Sequence, residues 1–323
     1  MHIKILVTGG SGFIGTNIIQ FYLDKNIEIL SLDICKPRKK SHESCFKRLD
    51  ICDKNKLARC ICEFSPTHVI HLAARTDLDG TKLSDYSANI VGVKNLIEGI
   101  NQSGKVIKSL FASSMLVCEV GYQPVDYNDY KTSTVYGESK VLTEKIIKEY
   151  SSIRSEWNII RPTSIWGPWF RVPYRNFFDL LISRRYINLK KNGAIKTFGY
   201  IGNSVYQIDR LLFSENPLLN HKTFYIGDNP PVSISKWANE ILSVLGRKPA
   251  AEVPFYFFKV LALLGDFGGK IGVKFPMNSF RLNNMTTNNI QKLDDLYLAI
   301  GKPPYSRMDG TIQTLNWIKR QHN

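Results

Sequence analysis

The sequence predicts an α/β protein in which a doubly wound parallel sheet is followed by a smaller mixed α/β lobe. In the first half of the 323-residue chain, short apolar runs alternate with amphipathic stretches of helical spacing, which is typical of a parallel sheet covered on both faces. After Pro162 this rhythm gives way to proline, glycine and aromatic residues, which indicate irregular loops. We therefore expect a first domain over residues 1–165 and a substrate-side lobe over 166–323 that returns to the first domain near 203–215.

The expected elements of the first domain follow from periodicity and from the turn-forming residues that bound each run. The predicted strands are Lys4–Thr8, Ile27–Asp33, Phe46–Asp50, His68–Ala73, Ser109–Ser114 and Asn158–Arg161. The predicted helices between them are Phe13–Lys25, Asp53–Glu63, Ser84–Ser103 and Tyr136–Tyr150. Because helices alternate with strands, the strands are expected to run parallel.

The chain is strongly basic, with 43 Lys and Arg against 28 Asp and Glu and a formal charge of +15. Such a charge suits a nucleic-acid binder, an anionic membrane surface or an enzyme for an anionic substrate. The basic residues are scattered and no aromatic-interleaved RNA-binding pattern is present, so we expect mostly solvated surface charge and no nucleic-acid partner.

The apolar runs are too short for membrane insertion. The first, Ile3–Val7, is shorter than the core of a signal peptide. The longest, Val253–Leu264, is interrupted by Lys259 and falls short of the roughly 18 residues of a membrane span; a buried helix or subunit contact is favoured for it over a membrane surface. The six cysteines form no zinc pattern. The sequence predicts a cytoplasmic protein with reduced thiols, no membrane span and no metal.

A glycine-rich turn over Thr8–Gly15 joins the first predicted strand to the first predicted helix. In this context the first glycine permits a tight turn, the second lets the backbone approach a pyrophosphate, and the third allows close helix packing. Free N–H groups at the helix amino terminus can bind phosphate. The turn therefore predicts a dinucleotide site in a Rossmann-like fold. The expected contacts are Gly9, Gly12, Phe13, Ile14 and Gly15.

Asp33, at the end of the second predicted strand, is placed to accept hydrogen bonds from a ribose and to repel a 2′-phosphate. NAD is therefore expected as the cofactor, while the nearby cations Lys36 and Arg38 leave NADP open. Asp50 ends the third predicted strand just before Ile51. An adenine contact and a simple turn aspartate are equally compatible with that position.

Tyr136 and Lys140 lie four residues apart at the start of a predicted helix, so their side chains project from one face. A tyrosine with an ordinary pKa near 10 is a poor base at neutral pH, but a neighbouring ammonium and an oxidised nicotinamide both favour its phenolate. We expect Tyr136 to accept a proton. Lys140 is expected to stabilise the phenolate and to bind the nicotinamide ribose.

In this order, the motifs resemble the extended short-chain dehydrogenase/reductase family and, within it, the nucleotide-sugar epimerases and dehydratases. The motifs are Thr8–Gly15, Asp33, His71–Ala74, Ser113–Ser114 and Tyr136 with Lys140. The resemblance is firmest over residues 1–168 and implies further cofactor contacts. These are Asp50, Ile51, Leu72, Ala73, Ala74 and Pro162.

The resemblance also implies that Ser114 is the third catalytic residue and binds the reacting sugar oxygen. In the family's dehydratases an Asp-Glu pair follows this position, whereas here Met115 and Leu116 follow and cannot move protons. Dehydration is therefore not expected. What remains is hydride transfer at C4 of a nucleotide-diphosphate hexose. We expect a 4-epimerase, with an NAD(P)H-dependent reductase of a 4-keto-6-deoxy sugar as the alternative.

The resemblance implies two substrate contacts, Asn176 and Arg281, of which the second resembles an arginine that meets the diphosphate. A homodimer, common in the resembling family, is expected through the helices near 84–103 and 136–150. An NAD-sensing protein and an RNA-binding protein of the same fold are non-enzymatic alternatives. The joint presence of Ser114, Tyr136 and Lys140 favours an enzyme over both.

Overall fold

The computed structural model describes residues 2–150, 153–190, 193–270 and 279–321. Its helices in this part of the chain are α1 (Phe13–Leu23), α2 (Lys54–Phe64), α3 (Ser87–Ser103), α4 (Val135–Glu149), α5 (Tyr174–Ile182), α6 (Ile201–Leu212), α7 (Ile234–Val244), α8 (Phe255–Lys270), α9 (Ser279–Thr286), α10 (Asp294–Ile300) and α11 (Arg307–Arg320). Its strands are β1 (Lys4–Thr8), β2 (Glu28–Asp33), β3 (Phe46–Arg48), β4 (His68–His71), β5 (Lys108–Ala112), β6 (Glu156–Pro162), β7 (Ser164–Trp166), β8 (Asn188–Leu189), β9 (Ile195–Lys196), β10 (Phe198–Tyr200), β11 (Lys222–Ile226), β12 (Val232–Ser233) and β13 (Glu252–Val253).

The central sheet has seven strands in the order β11-β6-β5-β4-β1-β2-β3, and every neighbouring pair is parallel. The strand order reverses between β1 and β4, and in sheets of this kind ligands bind at the carboxyl ends of the strands beside such a reversal. The predicted Rossmann-like doubly wound fold is confirmed. All six predicted strands lie in this sheet, with ends shifted by no more than two residues.

The seventh strand, β11, was not expected and comes from the second half of the chain. It extends the sheet beyond β6, with Phe224 opposite Ile160. Helix α6, which overlaps the expected return near 203–215, buries Ile201, Val205 and Ile208 in the same apolar cluster as Ile5 of β1. The domain boundary at residue 165 stays a prediction.

Apolar side chains cover the sheet on both faces. One cluster joins Ile5 and Val7 of β1 to Ile18 of α1 and to α5, α6, α7 and α11. The other joins Leu6 of β1 to α2, α3 and Ile147 of α4. Because neighbouring residues of β1 point to opposite faces, one strand supplies both clusters.

Within the described ranges, the smaller lobe contains three two-stranded sheets, β7 with β10, β9 with β12, and β8 with β13. Helices α8 and α9 pack against the β8–β13 pair through a cluster that includes Leu189, Phe258 and Leu282. In the described part of the chain, none of the helices combines the length and apolarity needed to traverse a bilayer.

Candidate active site

The glycine-rich turn closes tightly between β1, β2 and β4. The N–H of Gly9 donates to the carbonyl of Leu32 (2.8 Å), and its φ of +75° is in the left-handed region that favours glycine. A Cβ at Gly9 would lie 2.5 Å from the amide nitrogen of Ala73, and one at Gly15 would lie 2.3 Å from the carbonyl oxygen of Gly9. A side chain at Gly9 would force the turn away from the backbone that follows β4, and one at Gly15 would force α1 away from the turn.

The amino terminus of α1 is open to a ligand. Gly12 is its N-cap, and none of the described side chains caps the first turn. The N–H groups after Gly12 can therefore donate hydrogen bonds to an anion. Phe13 and Ile14 are the first residues of the helix. A Cβ on Gly12 would lie 3.0 Å from the carbonyl oxygen of Gly9, so a residue larger than glycine would crowd the backbone of the turn. These features fit the pyrophosphate of a dinucleotide.

Asp33 ends β2 beside this turn and is held by backbone donors. Its Oδ2 accepts from the N–H of Ser11 (3.0 Å) and its Oδ1 from the N–H of Cys35 (2.9 Å). The carboxylate is thereby fixed beside the glycine-rich turn, and its contact with a ribose stays a prediction. Of the two cations that leave NADP open, Lys36 is exposed, while Arg38 donates to the carbonyl of Trp169.

The other expected cofactor contacts are spread over three strand ends. Leu72 and Ala73 follow β4. The N–H of Leu72 donates to the carbonyl of Thr8 (2.9 Å), and the N–H of Ala73 donates to the hydroxyl of Thr8 (3.3 Å). Ala74 follows them and is half-buried. Asp50 is exposed and accepts from the N–H of Cys52 (2.9 Å) in a local turn. This bond leaves other lone pairs of the carboxylate able to accept from a ligand. Ile51 is 5% exposed, and Pro162 ends β6. Their contacts with a cofactor stay predictions.

Tyr136 lies in the first turn of α4, which begins after Thr134. The hydroxyl of Thr134 caps the helix by accepting from the N–H of Gly137 (3.0 Å). Tyr136 is 6% exposed, its ring lies 6.0 Å from the ring of Tyr86, and the side chain of Ser114 is close enough to act on the pKa of its hydroxyl. Ser114 follows β5 by two residues. Helix α4 and strand β5 therefore place these two hydroxyls together.

The surroundings of Tyr136 disfavour its phenolate. Burial raises the pKa of Tyr136 to about 12, the hydrogen bond from Ser114 acts to lower that pKa, and the neighbouring Tyr86 acts to raise it. The phenol is therefore protonated at neutral pH until a positive charge is brought beside it.

Lys140 lies one turn further along α4 and is 2% exposed. Its Nζ donates to the carbonyl of Ala112 (2.7 Å), the last residue of β5. Burial lowers the pKa of Lys140 to about 8, an effect that the carboxylate of Glu144 opposes. The structure thus brings Ser114, Tyr136 and Lys140 together at the carboxyl end of β5.

A buried ion pair that the sequence reasoning missed lies directly behind this group. Arg161 donates from Nε to Oε1 and from Nη2 to Oε2 of Glu144, both at 2.8 Å, and neither side chain is exposed. Ser113 also donates to Glu144 (2.6 Å). Burial acts to raise the pKa of Glu144, but the hydrogen bonds and charge of Arg161 outweigh it, and the net pKa is lowered. The available signal was a glutamate one helical turn after Lys140 on the same face.

Asn89 of α3 was also missed and holds α4 from the other side. Its Nδ2 donates to Ser139 (2.9 Å) and to the carbonyl of Arg75 (3.0 Å). Its own carbonyl accepts from Thr143. An asparagine inside an otherwise apolar helix face was the signal, because a buried amide requires partners.

The predicted substrate contacts are not brought to the catalytic group by any contact in the described residues. Asn176 is exposed in the first turn of α5. Arg281 belongs to α9, but its side chain lies outside the described residues. Asn203 is buried and donates to Asp228 and to the carbonyl of Tyr305, both at 2.8 Å. Both predicted substrate contacts stay predictions.

Comparison with known proteins adds to this geometry. A family model described as "NAD dependent epimerase/dehydratase family" matches residues 5–208. The chain is similar in sequence to the N-acetyl-alpha-D-glucosaminyl-diphospho-ditrans,octacis-undecaprenol 4-epimerase of Escherichia coli O157:H7, with 23% identity over 323 residues that cover 98% of this chain and 96% of that protein. It is also similar to a 3-beta-hydroxysteroid dehydrogenase of Mycolicibacterium neoaurum, with 26% identity over 264 residues, or 76% of this chain and 71% of that protein.

Among solved structures, the fold is similar to that of UDP-glucose 4-epimerase from Thermotoga maritima, determined with UDP-glucose. The TM-score is 0.77 at 17% sequence identity, and the match covers 99% of this chain and 100% of that one. The similarity therefore extends beyond the sheet into the smaller lobe.

Proposed function

The chain belongs to the NAD-dependent epimerase/dehydratase family, and from this premise we propose that it epimerises a diphosphate-linked hexose at C4. Family membership confirms the predictions of an enzyme and of NAD as its cofactor. The observation that carries the finer proposal is the grouping of half-buried Ser114 with buried Tyr136 and Lys140 at the carboxyl end of β5.

Each of the three residues has one task at the sugar. Tyr136 accepts the proton of the C4 hydroxyl, and Ser114 hydrogen-bonds to the same oxygen while it becomes a carbonyl. Lys140 keeps a positive charge beside Tyr136 and binds the ribose next to the nicotinamide. When bound, NAD supplies reversible hydride transfer at C4. If the 4-keto sugar turns before it is reduced again, Tyr136 returns the proton and the configuration at C4 is inverted.

The residues after Ser114 support epimerisation over dehydration. Met115 and Leu116 form a short 3₁₀ turn, in which the N–H of Leu116 donates to the hydroxyl of Ser114 (3.1 Å). The sulfur of Met115 accepts from the amide of Asn289 (3.7 Å). Neither side chain can carry a proton to or from a neighbouring sugar carbon.

The carrier of the hexose has two candidates. The sequence predicts a nucleotide diphosphate. The relative from Escherichia coli is named for a diphospho-undecaprenol substrate and aligns along nearly the whole of both chains, which favours a polyprenyl diphosphate as the second candidate. Both carriers present the same diphosphate next to the sugar, and Ser114, Tyr136 and Lys140 act only on the sugar.

The test is to denature the purified protein, assay the released NAD, and incubate native protein with a panel of sugars without added cofactor. The panel contains UDP-, GDP-, CDP- and dTDP-hexoses and N-acetylglucosaminyl-diphospho-undecaprenol. We expect retained NAD and interconversion of one C4 pair. The matched control Tyr136→Phe keeps the fold and removes the proton acceptor, so turnover should fall by about 10²–10⁴-fold.

Two results would contradict the proposal. Turnover of 4-keto sugars alone, with consumption of added NADH or NADPH, would make the protein a ketoreductase. Net oxidation of a 3β-hydroxysteroid with accumulation of NADH would assign it to the chemistry named for its Mycolicibacterium relative.

A further inference from the structure

Helix α8 presents an apolar stripe to the solvent. Its members recur at the spacing of one helical face, and each has more than half of its surface exposed. They are Tyr256 (76%), Val260 (57%), Leu263 (59%), Leu264 (55%) and Phe267 (66%). This face of α8 is therefore not buried within the described chain, while a subunit contact, the other expectation for this helix, stays a prediction.

The opposite face of α8 fixes the orientation of the stripe. Phe258 and Ala262 are 4% and 1% exposed and pack against Leu189 of β8 and Leu282 of α9. Since these residues already satisfy the core of the smaller lobe, the exposed stripe is a second apolar face. Contiguous apolar surface of this kind marks an interaction site.

Exposed basic side chains lie on the segments that lead into β8 and β13, the strand pair next to α8 in the fold. Arg184, Arg185 and Lys190 are exposed on the segment that includes β8, which pairs with β13 just before α8. The N–H of Lys190 donates to the carbonyl of Val253 (2.8 Å), two residues before the helix. Lys248 and Lys259 are also exposed. Only Glu252 and Asp266 oppose these charges on β13 and on the described side chains of α8.

We propose that the stripe of α8 and these bordering cations dock the protein onto the surface of an anionic lipid bilayer. The apolar stripe enters the acyl boundary while the helix lies in the plane of the interface, as amphipathic helices with basic borders do. Phe255, Tyr256 and Phe257 are 41%, 76% and 46% exposed and supply the aromatic side chains that favour the headgroup level.

Charge selects the bilayer over a second copy of the chain as the occupant. Each copy has a formal charge of +15, so two basic borders brought together through α8 would repel each other. Anionic headgroups attract the same borders. The stripe supplies apolar area for the acyl region of the bilayer, and the bordering cations supply positive charge for its anionic headgroups.

Docking through α8 would place the bilayer against the substrate-side lobe. Helix α8 packs on α9, and the segment after α9 contains Asn289, whose amide contacts Met115 beside Ser114. The docking itself does not depend on the reaction, because Ser114, Tyr136 and Lys140 are not part of the stripe or its border.

The test is sedimentation of the full-length protein with extruded vesicles of phosphatidylglycerol and phosphatidylcholine, against vesicles of phosphatidylcholine alone. We expect binding to the anionic vesicles that weakens when NaCl is raised from about 0.1 M to about 0.5 M. Leu263→Ser with Phe267→Ser should weaken the partition coefficient at least about tenfold, because two apolar side chains no longer enter the lipid. Arg184→Gln with Arg185→Gln should abolish most of the preference for anionic vesicles.

The matched control is Leu298→Ser. Leu298 is an apolar residue of α10 that is 87% exposed and lies outside the stripe, so this variant should bind as the unaltered chain does. Tyr136→Phe should also bind normally, so failure of the enzymatic proposal and failure of docking are distinguishable. Absence of binding to anionic vesicles would overturn the proposal. So would equal binding of the Leu263→Ser, Phe267→Ser variant, or a dimer in sedimentation velocity that this variant dissociates while vesicle binding is absent.

Discussion

Burial favours the neutral form of both Tyr136 and Lys140, although the first would ionise to an anion and the second to a cation. It raises the pKa of Tyr136 to about 12 and lowers the pKa of Lys140 to about 8. Without a further positive charge, a neutral phenol beside a lysine that loses its proton near pH 8 is the stable arrangement. The oxidised nicotinamide supplies that charge only when cofactor is bound. In the proposed reaction, Tyr136 can therefore act as the proton acceptor only when NAD is bound.

His71, which ends β4 behind the glycine turn, makes stability depend on pH. It is 1% exposed, and its Nδ1 lies 2.7 Å from the hydroxyl of Thr8. Burial, with a smaller contribution from Lys140, lowers the pKa of His71 from 6.5 to about 3. As the pH falls from 6.5 to about 3, the unfolded chain takes up a proton at this residue and the folded chain does not. The folded state therefore loses stability through that window.

We expect His71→Asn to reduce this pH dependence. The difference in unfolding free energy between pH 7 and about pH 3.5 should be smaller in the variant by on the order of 4 kcal/mol, measured by urea denaturation at each pH. The comparison uses the change in unfolding free energy between the two pH values, so a loss of packing energy that is the same at both values cancels. Equal pH dependence in both proteins would show that His71 is charged in the folded state.

Single residues were predictable where local geometry determines their role. Gly9, Asp33, Tyr136 and Lys140 sit at fixed spacings within a turn, a strand end and one helical turn, and those spacings are visible in the sequence. The contact between Arg38 and the carbonyl of Trp169 joins residues 131 positions apart. It depends on how the smaller lobe folds against the first domain, which no local pattern specifies.

Helix α4 carries Tyr136 and Lys140, two of the proposed catalytic side chains, and the buried ion pair between Glu144 and Arg161 ties this helix to β6. Glu144→Gln would leave the Arg161 charge buried without its counterion. We expect the free energy of unfolding in urea to fall by about 3–5 kcal/mol, with loss of turnover following from displacement of α4.

The matched control is Glu98→Gln, which removes an ion pair with Lys54 of 2.6 Å whose side chains are 37% and 61% exposed. Because solvent screens that pair, its loss should destabilise the fold far less than loss of the Glu144–Arg161 pair. Similar losses in the two variants would mean that the Glu144–Arg161 pair does not hold α4.

Elements were predictable where apolar periodicity was regular, as in β1–β6 and α1–α4. Strand β11 was not, because it lies among irregular segments and acquires its place only by pairing with β6 across about sixty residues. Helix α8 was identified as an apolar run, but the sequence could not show which face the lobe would leave exposed.

For the whole molecule, the doubly wound sheet and the place of the candidate catalytic residues at its carboxyl edge followed from the sequence, while the arrangement of the second lobe did not. The lobe lacks repeated strand–helix units, and its small sheets are held by long-range pairs such as β8 with β13. The homodimer through α3 and α4, the residues Asn176 and Arg281, and the domain boundary at residue 165 stay predictions.

The most direct test of the account follows the hydrogen at C4. The protein is incubated, without added cofactor, with the C4-deuterated form of the diphosphate-linked hexose that it turns over, and the product is analysed by NMR and mass spectrometry. If hydride leaves C4 and returns to it from the same enzyme-bound cofactor, the product carries inverted configuration and keeps its deuterium at C4. Inversion with replacement of that deuterium by solvent hydrogen would contradict the account, since it requires proton abstraction from carbon instead of hydride transfer.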